Sequence, residues 1–376
     1  MVEERPYQPP WTTRATSALT IGVVGLLCRS FLFALNRTEV YGLEKFLHLV
    51  DSRKDPEQRQ RGLITVANHV SVMDEPVIWG AMPFKYHWDT NNNRYSLASY
   101  DIMFNKGIKA LDQFFYHGNT LPTHRGAHSQ PGGPFQPTMR EMIRLLSNPH
   151  GKPTMITQEK SSWPTSDPFS DAELTYTTNG KDIVPAYSAY PSRKYSWVHI
   201  FPEGKIHQHP EKHMRYFKWG IARLILESEP CPDVVPIWID GMQEVMDDKR
   251  PWPRPMPRAG KDIKIYFGDL VEREAVFGGF RERWRQLKEK ARSQTPSEQK
   301  EVLGEVNDDF LRYSPEAEQL RIDVTMAVRN EVLKLRRSAG LSDEDPKAGL
   351  AETWRIEGSK GKAEGEMADG SIVRDV

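Results

Sequence analysis

Along this chain, apolar runs end repeatedly in polar clusters. Leu63 to Ala67 (LITVA) runs into Asn68, His69 and, five residues past the histidine, Asp74, in the segment NHVSVMDEP. Valine, isoleucine and threonine favour an extended chain, and a strand without polar alternation is what a sheet covered on both faces requires. The polar residues then stand at the carboxyl end of a strand, where α/β sheets hold their ligands. Asp112 to Tyr116 reads as a second short strand and ends in GNTLPTHRG, where Gly118, Pro122 and Gly126 mark turns and Arg125 supplies a fork of donors. Tyr195 to Phe201 reads as a third strand, followed at once by Pro202, Glu203, Gly204 and Lys205. Val40 to Gly42 suggests an edge strand, and Val234 to Ile239 and Ile263 to Phe267 two more. Three polar clusters, each after an apolar run, predict one shared cleft.

Helical signals flank these strands. Ala18 to Leu35 is the longest apolar stretch, about 27 Å as a helix against a hydrocarbon core of about 30 Å. Its ten Leu, Ile, Val and Phe favour insertion by roughly 3 to 6 kcal/mol, while Arg29 opposes it by roughly 2.5 to 3.5. This balance suits a shallow or re-entrant anchor with the guanidinium at the headgroups; a buried core helix is the alternative. Between 126 and 196 the chain is rich in Pro, Gly, Ser and Thr and holds one helical pattern, Gln136 to Ser147, which reads as a partly mobile insertion. Phe217 to Glu227 is amphipathic, either a core helix or a second interfacial contact. Arg281 to Arg337 is helical and charged, and the Gly, Glu, Lys and Asp content beyond Gly340 suggests a disordered tail. The expected organisation is an anchor over 1–36, an α/β domain over 37–275, C-terminal helices over 276–340 and a tail over 341–376.

Composition narrows the chemistry. With 376 residues and 38% hydrophobic content the chain can bury a large core, and 51 basic against 51 acidic residues give no general attraction to nucleic acid. Cys28 and Cys231 form neither a metal spacing nor a disulfide framework. The sequence has no G-x-S-x-G elbow, P-loop, G-x-G-x-x-G turn or H-E-x-x-H helix. Neither a metal nor a cofactor is expected.

The spacing of His69 and Asp74 carries its own argument. Positions i and i+5 of one helix point roughly 140° apart, so a turn must separate the two before they can meet. Pro76 puts Asp74 at or just before a helix start, from which its carboxylate reaches back to the imidazole. That pair makes a general base, the carboxylate fixing the tautomer while the free nitrogen takes a proton from an alcohol. Capping is the rival role for Asp74, because Ser71 and Asp74 also form an S-x-x-D start. Of eleven histidines only His69 has an aspartate at this offset.

NHVSVMD, an arginine-bearing loop, FPEG and the strand VVPIW together resemble the four-block pattern of the glycerophospholipid acyltransferase superfamily. WVHIFPEGK, continuing through RYFKWGIARLI to VVPIWIDGM, resembles its cardiolipin-transacylase branch more closely. The resemblance covers roughly Val40 to Leu270 apart from the insertion. It implies a central mixed sheet flanked by helices, with an N-terminal membrane-anchoring helix and C-terminal helices. It also implies His69 as base, Asp74 as its partner, and Asn68, Gly118, Arg125, Glu203 and Gly204 as substrate-binding residues. Leu121 to His124 depart from the superfamily's second block, which has a phenylalanine there. The implied reaction moves an acyl chain, without coenzyme A, from a phospholipid such as phosphatidylcholine to monolysocardiolipin, remodelling cardiolipin. The implied setting is a mitochondrial membrane facing the intermembrane space, with monotopic attachment, and an oligomer is compatible with it. The same blocks serve acyl-CoA-dependent lysophospholipid acyltransferases, and a silent lipid-binding adaptor is the non-enzymatic alternative.

Overall fold

The computed structural model describes residues 6–104, 106–126, 131–151, 174–294, 302–355 and 364–374. The strands that build the site are β1 (Arg37–Tyr41), β2 (Leu63–Ala67), β3 (Ser96–Ser99), β4 (Thr120–Thr123), β5 (Trp197–Ile200), β6 (Asp233–Asp240) and β7 (Asp262–Phe267). The principal helices are α1 (Trp11–Ala34), α2 (Leu43–Asp51), α3 (Lys109–His117), α4 (Pro137–Leu146), α5 (Gly220–Glu227), α6 (Gly279–Gln294) and α7 (Pro315–Ser338). The central sheet runs β1-β7-β6-β2-β5, with β6, β2 and β5 parallel, β7 antiparallel to β6, and β1 parallel to β7. This is an α/β fold around a mixed sheet.

Every residue of β2 is buried, as its unbroken apolar pattern requires. Ile64 and Val66 share one cluster with Val198, Ile200, Val234 and Trp238, covered by α4, α5, α6 and α7. Leu63 and Ala67 face the other way, onto Trp197, Ile237, Phe46 and Trp79 under α1 and α2. Tyr95 donates to Trp197 O at 2.8 Å and accepts from His199 N at 2.7 Å, so the parallel pair β3 and β4 continues the sheet beyond β5. The carboxyl ends of β2, β4 and β5 therefore open on one edge.

Helix α1 is buried along one face and exposed along the other. Ser17, Ile21, Gly25, Cys28 and Leu32, spaced by three or four, are buried against the domain, while Leu19, Val23, Leu26, Leu27 and Phe33 are exposed. Small residues permit the contact: a Cβ on Gly25 would lie 2.6 Å from the His87 ring, and one on Gly80 would lie 2.6 Å from Arg29 N. The Arg29 guanidinium, expected at headgroups, bonds to backbone carbonyls of the domain. Its Nη1 donates to the carbonyls of Gly80, Ala81 and Met82 at 3.1, 3.3 and 3.2 Å, satisfying backbone groups where a short helical turn ends.

Three further expectations are revised. Asp112 to Tyr116 belongs to α3, and the strand is the following Thr120–Thr123. A short apolar run carries no period that separates strand from helix, and here the i to i+4 pair Leu111 and Phe115 went unread. Within the supposed insertion, α4 is a core helix: Met139, Met142, Ile143, Leu145 and Leu146 are buried, and Ser196 N donates to Leu145 O at 2.7 Å. The mobility expected there falls partly on 127–130 and 152–173, outside the described residues. The described parts of the tail, 341–355 and 364–374, dock instead of trailing. Ile372–Arg374 pairs antiparallel with Ile206–Gln208, and Trp354 is buried edge-on to His207. A few well-placed apolar residues overrode the polar composition.

Candidate active site

His69 stands two residues past the end of β2, after Asn68, and its backbone is held on both sides. Its N–H donates to Glu203 Oε1 at 2.8 Å, and its carbonyl accepts from His207 N at 2.9 Å. The ring stacks on Phe201 with centroids 4.3 Å apart, and Nδ1 lies 2.9 Å from Asp74 Oδ2. The same oxygen accepts from Val70 N at 2.7 Å and Ser71 N at 2.9 Å. Asp74 thus closes the turn and orients the imidazole with one buried oxygen, so its two candidate roles coincide. With Nδ1 donating to the carboxylate, Nε2 is the ring nitrogen left as acceptor.

His69 lines a cavity of about 370 Å³. Ile21 and Val24 of α1, Leu97 of β3, Met103 and Phe115 give it apolar walls, and Gly118, Arg125 and Gly204 also line it. The three polar clusters do share this cleft. Gly204 has φ +59°, and a Cβ there would lie 2.8 Å from Lys218 Nζ, so only glycine fits without displacing that lysine. Arg125 is engaged by Asp101, through Nε at 3.2 Å and through Nη2. Gln136 fixes the arginine loop, accepting from His124 N at 2.7 Å and donating to His124 O at 3.0 Å.

Two predicted binding residues have other work here. The Asn68 amide donates to Ile239 O at 2.9 Å and accepts from Ile239 N at 2.8 Å, extending the ladder between β2 and β6 by one side chain. Glu203 is buried behind the histidine, where its second oxygen accepts from Arg215 N at 2.9 Å. Burial pushes its carboxyl up to about 8, against the pull of the Arg215 and His69 amides.

A second polar layer escaped the sequence reading. Glu75 accepts from Trp79 Nε1 at 2.6 Å and pairs with Arg94, whose guanidinium lies 4.7 Å over the Trp79 ring. His199 lies behind His69, its Nδ1 2.9 Å from Thr65 Oγ1, and burial first, then Arg94 and His69, holds it well below 6.5. His87 on the cavity wall is lowered to about 4, chiefly by burial and then by Arg94 and Arg29. Both imidazoles are therefore neutral near pH 7. Glu75 adjoins Asp74 in the motif, which was its one available signal; Arg94 comes from a loop with no pattern to mark it. Among the described residues no group of three His, Cys, Asp or Glu side chains could hold a metal ion.

The family model described as Acyltransferase matches residues 37–240. Tafazzin of Saccharomyces cerevisiae is 32% identical, over 97% of this chain and 90% of its own length. Tafazzin of Drosophila melanogaster is 25% identical, over 68% of this chain and 51% of its own. N-acylphosphatidylethanolamine synthase of Arabidopsis thaliana is 29% identical, over 63% and 64%.

The raised Glu203 value sets a sign for stability. Between about 4.5 and about 8 the folded chain keeps a proton that the unfolded chain releases, so stability falls as pH rises through that window. Glu203→Gln removes this titration and leaves one of the two amides without an acceptor. Urea unfolding of the variant should therefore show a lower midpoint, by about 1–3 kcal/mol, and a flatter pH dependence across the window. An unchanged slope would count against the buried proton.

Proposed function

This chain belongs to the glycerophospholipid acyltransferase family, in its tafazzin branch, and from that premise we propose that it is a coenzyme A-independent phospholipid transacylase that remodels cardiolipin. Phospholipid acyl transfer follows from the family itself. The proposal adds the donor, a phospholipid such as phosphatidylcholine, the acceptor monolysocardiolipin, and the use of His69 and Asp74.

The observation that carries the proposal is the His69 ring, anchored at Nδ1 by Asp74 on the wall of a largely apolar cavity. Nε2 takes the proton of the acceptor hydroxyl as that oxygen attacks the donor's acyl carbonyl carbon. The tetrahedral adduct collapses by breaking the bond to the donor's glycerol oxygen, which recovers the proton from Nε2. His69 ends as it began, and one ester replaces another of nearly equal energy, so transfer runs in both directions. Asp74 steadies the imidazolium between the two proton movements. The apolar walls suit an acyl chain. Arg125 binds acceptor phosphate in this reading, and the phosphate has to displace Asp101 from the guanidinium.

Helix α1 provides the route to the lipid. Its outer face lies in the interfacial layer, a monotopic attachment, and its inner face carries Ile21 and Val24 on the cavity wall. A lipid then passes from bilayer to site along one helix. The reading includes a mitochondrial membrane facing the intermembrane space as the setting, on family resemblance alone.

The test is transfer of a labelled acyl chain from phosphatidylcholine to monolysocardiolipin by the purified protein, with and without coenzyme A. Equal rates in the two are expected, and transfer from acyl-CoA only would make the chain a lysophospholipid acyltransferase of the dependent kind. In the same assay Asp101→Asn should lower the acceptor KM roughly fivefold, matching a partly exposed ion pair of about 1 kcal/mol. A raised KM would instead make Asp101 the residue that orients Arg125.

A further inference from the structure

Between β6 and β7 the chain carries KRPWPRPMPRAGK, residues 249–261, with five cations, four prolines and no acidic residue. The structure turns Trp252 outward at 87% exposure and Met256 at 59%. The arginines hold the loop's shape. Arg250 donates to Arg254 O at 2.6 Å and to Asp247 O at 2.7 Å, Arg254 donates to Asp248 O at 2.9 Å, and Arg258 donates to Pro251 O. Lys249 and Lys261 have carboxylate partners, Glu366 and Glu244. Among the described residues no carboxylate forms an ion pair with any of the three arginines, so their bonds to neutral carbonyls leave the charge in place.

A single exposed apolar residue needs no explanation. Here the exposed indole and thioether stand on a pre-shaped cationic loop, and the position of the loop matters as much. Gly260 N donates to Leu35 O at 2.7 Å, and Lys261 N donates to Asn36 Oδ1 at 2.9 Å, joining the base of the loop to the C-terminal end of α1. The loop therefore springs from the C-terminal end of that helix, beside the exposed Leu35.

We propose that residues 249–261 form a second membrane contact that docks on a bilayer carrying anionic phospholipid. Trp252 and Met256 enter the interfacial layer, where indole rings are favoured, and Arg250, Arg254 and Arg258 face the headgroups. Prolines make the docking inexpensive in entropy, because their fixed φ leaves little freedom to lose and they bring no N–H groups to desolvate. The contact holds the C-terminal end of α1 at headgroup depth. It rests on the reading of α1 as interfacial, and not on which acyl chain is moved.

The test is sedimentation of the full chain with vesicles of phosphatidylcholine, with and without phosphatidylglycerol. Trp252→Ala should weaken binding to both kinds of vesicle. Arg254→Gln should weaken binding to the anionic vesicles alone, about fivefold, the effect of one charge near such a surface. Arg254→Lys should bind as the parent does, which a purely structural arginine would not allow. Transfer on lipids dispersed in neutral detergent should be unchanged in all three variants, so failure of the transacylase reading would show there and not in sedimentation. Parent-like binding of both Trp252→Ala and Arg254→Gln would overturn the proposal, and would turn attention to a protein partner for the proline-rich segment.

Discussion

The buried carboxyl group of Glu203 takes two backbone N–H groups, one from His69 and one from Arg215, and most of the site's geometry depends on that meeting. It ties the loop after β5 to His69, two residues past β2, and it ties both to the segment leading into α5. From Arg215 the restraint continues outward. Arg329 of α7 donates to Arg215 O at 2.9 Å and Met214 O at 2.7 Å, and Arg336 donates to Lys212 O and Glu211 O at 3.0 and 2.9 Å. Glu344, beyond α7, pairs with Arg329 and accepts from Met214 N at 2.7 Å. The C-terminal helix therefore braces the histidine through a chain of backbone contacts. A site whose backbone is fixed in this way does not have to reorganise when charge develops on the ring.

Burial supplies the other half of the arrangement. The sheet is covered on both faces, so groups beside the histidine have little water with which to share charge. His199 and His87 respond by remaining neutral, and Glu75 and Arg94 respond by pairing. His69 differs from them in having a carboxylate within hydrogen-bond distance of Nδ1. In the proposed mechanism, that contrast is what sets His69 apart as base from the histidines around it.

The sequence made the elements with strong patterns legible and left out those that depend on partners. The β2 strand matched residue for residue because a doubly covered strand leaves no position facing water and so shows no polar alternation. His69 and Asp74 were found because the turn implied by Pro76 leaves their side chains few other places to go. Asn68 and Glu203 were expected to contact substrate, whereas their side chains hold backbone groups of Ile239, His69 and Arg215, which nothing local in the sequence shows. Arg29 is the same kind of case: its charge in an apolar run pointed to headgroups, while the three carbonyls it meets come from residues some fifty positions away. Composition misjudged the tail for the converse reason, since Trp354, Ile372 and Val373 are few but each finds a pocket or a strand.

The central claim is that His69 moves the proton while the fold merely holds it in place. The most direct measurement is the transfer rate of His69→Ala, made on protein whose circular dichroism and unfolding midpoint match the parent. The account predicts a loss of roughly 10²- to 10⁴-fold in turnover, the range for removal of a general base. Turnover within a few-fold of the parent would contradict it and leave the His69 and Asp74 pair as a structural turn.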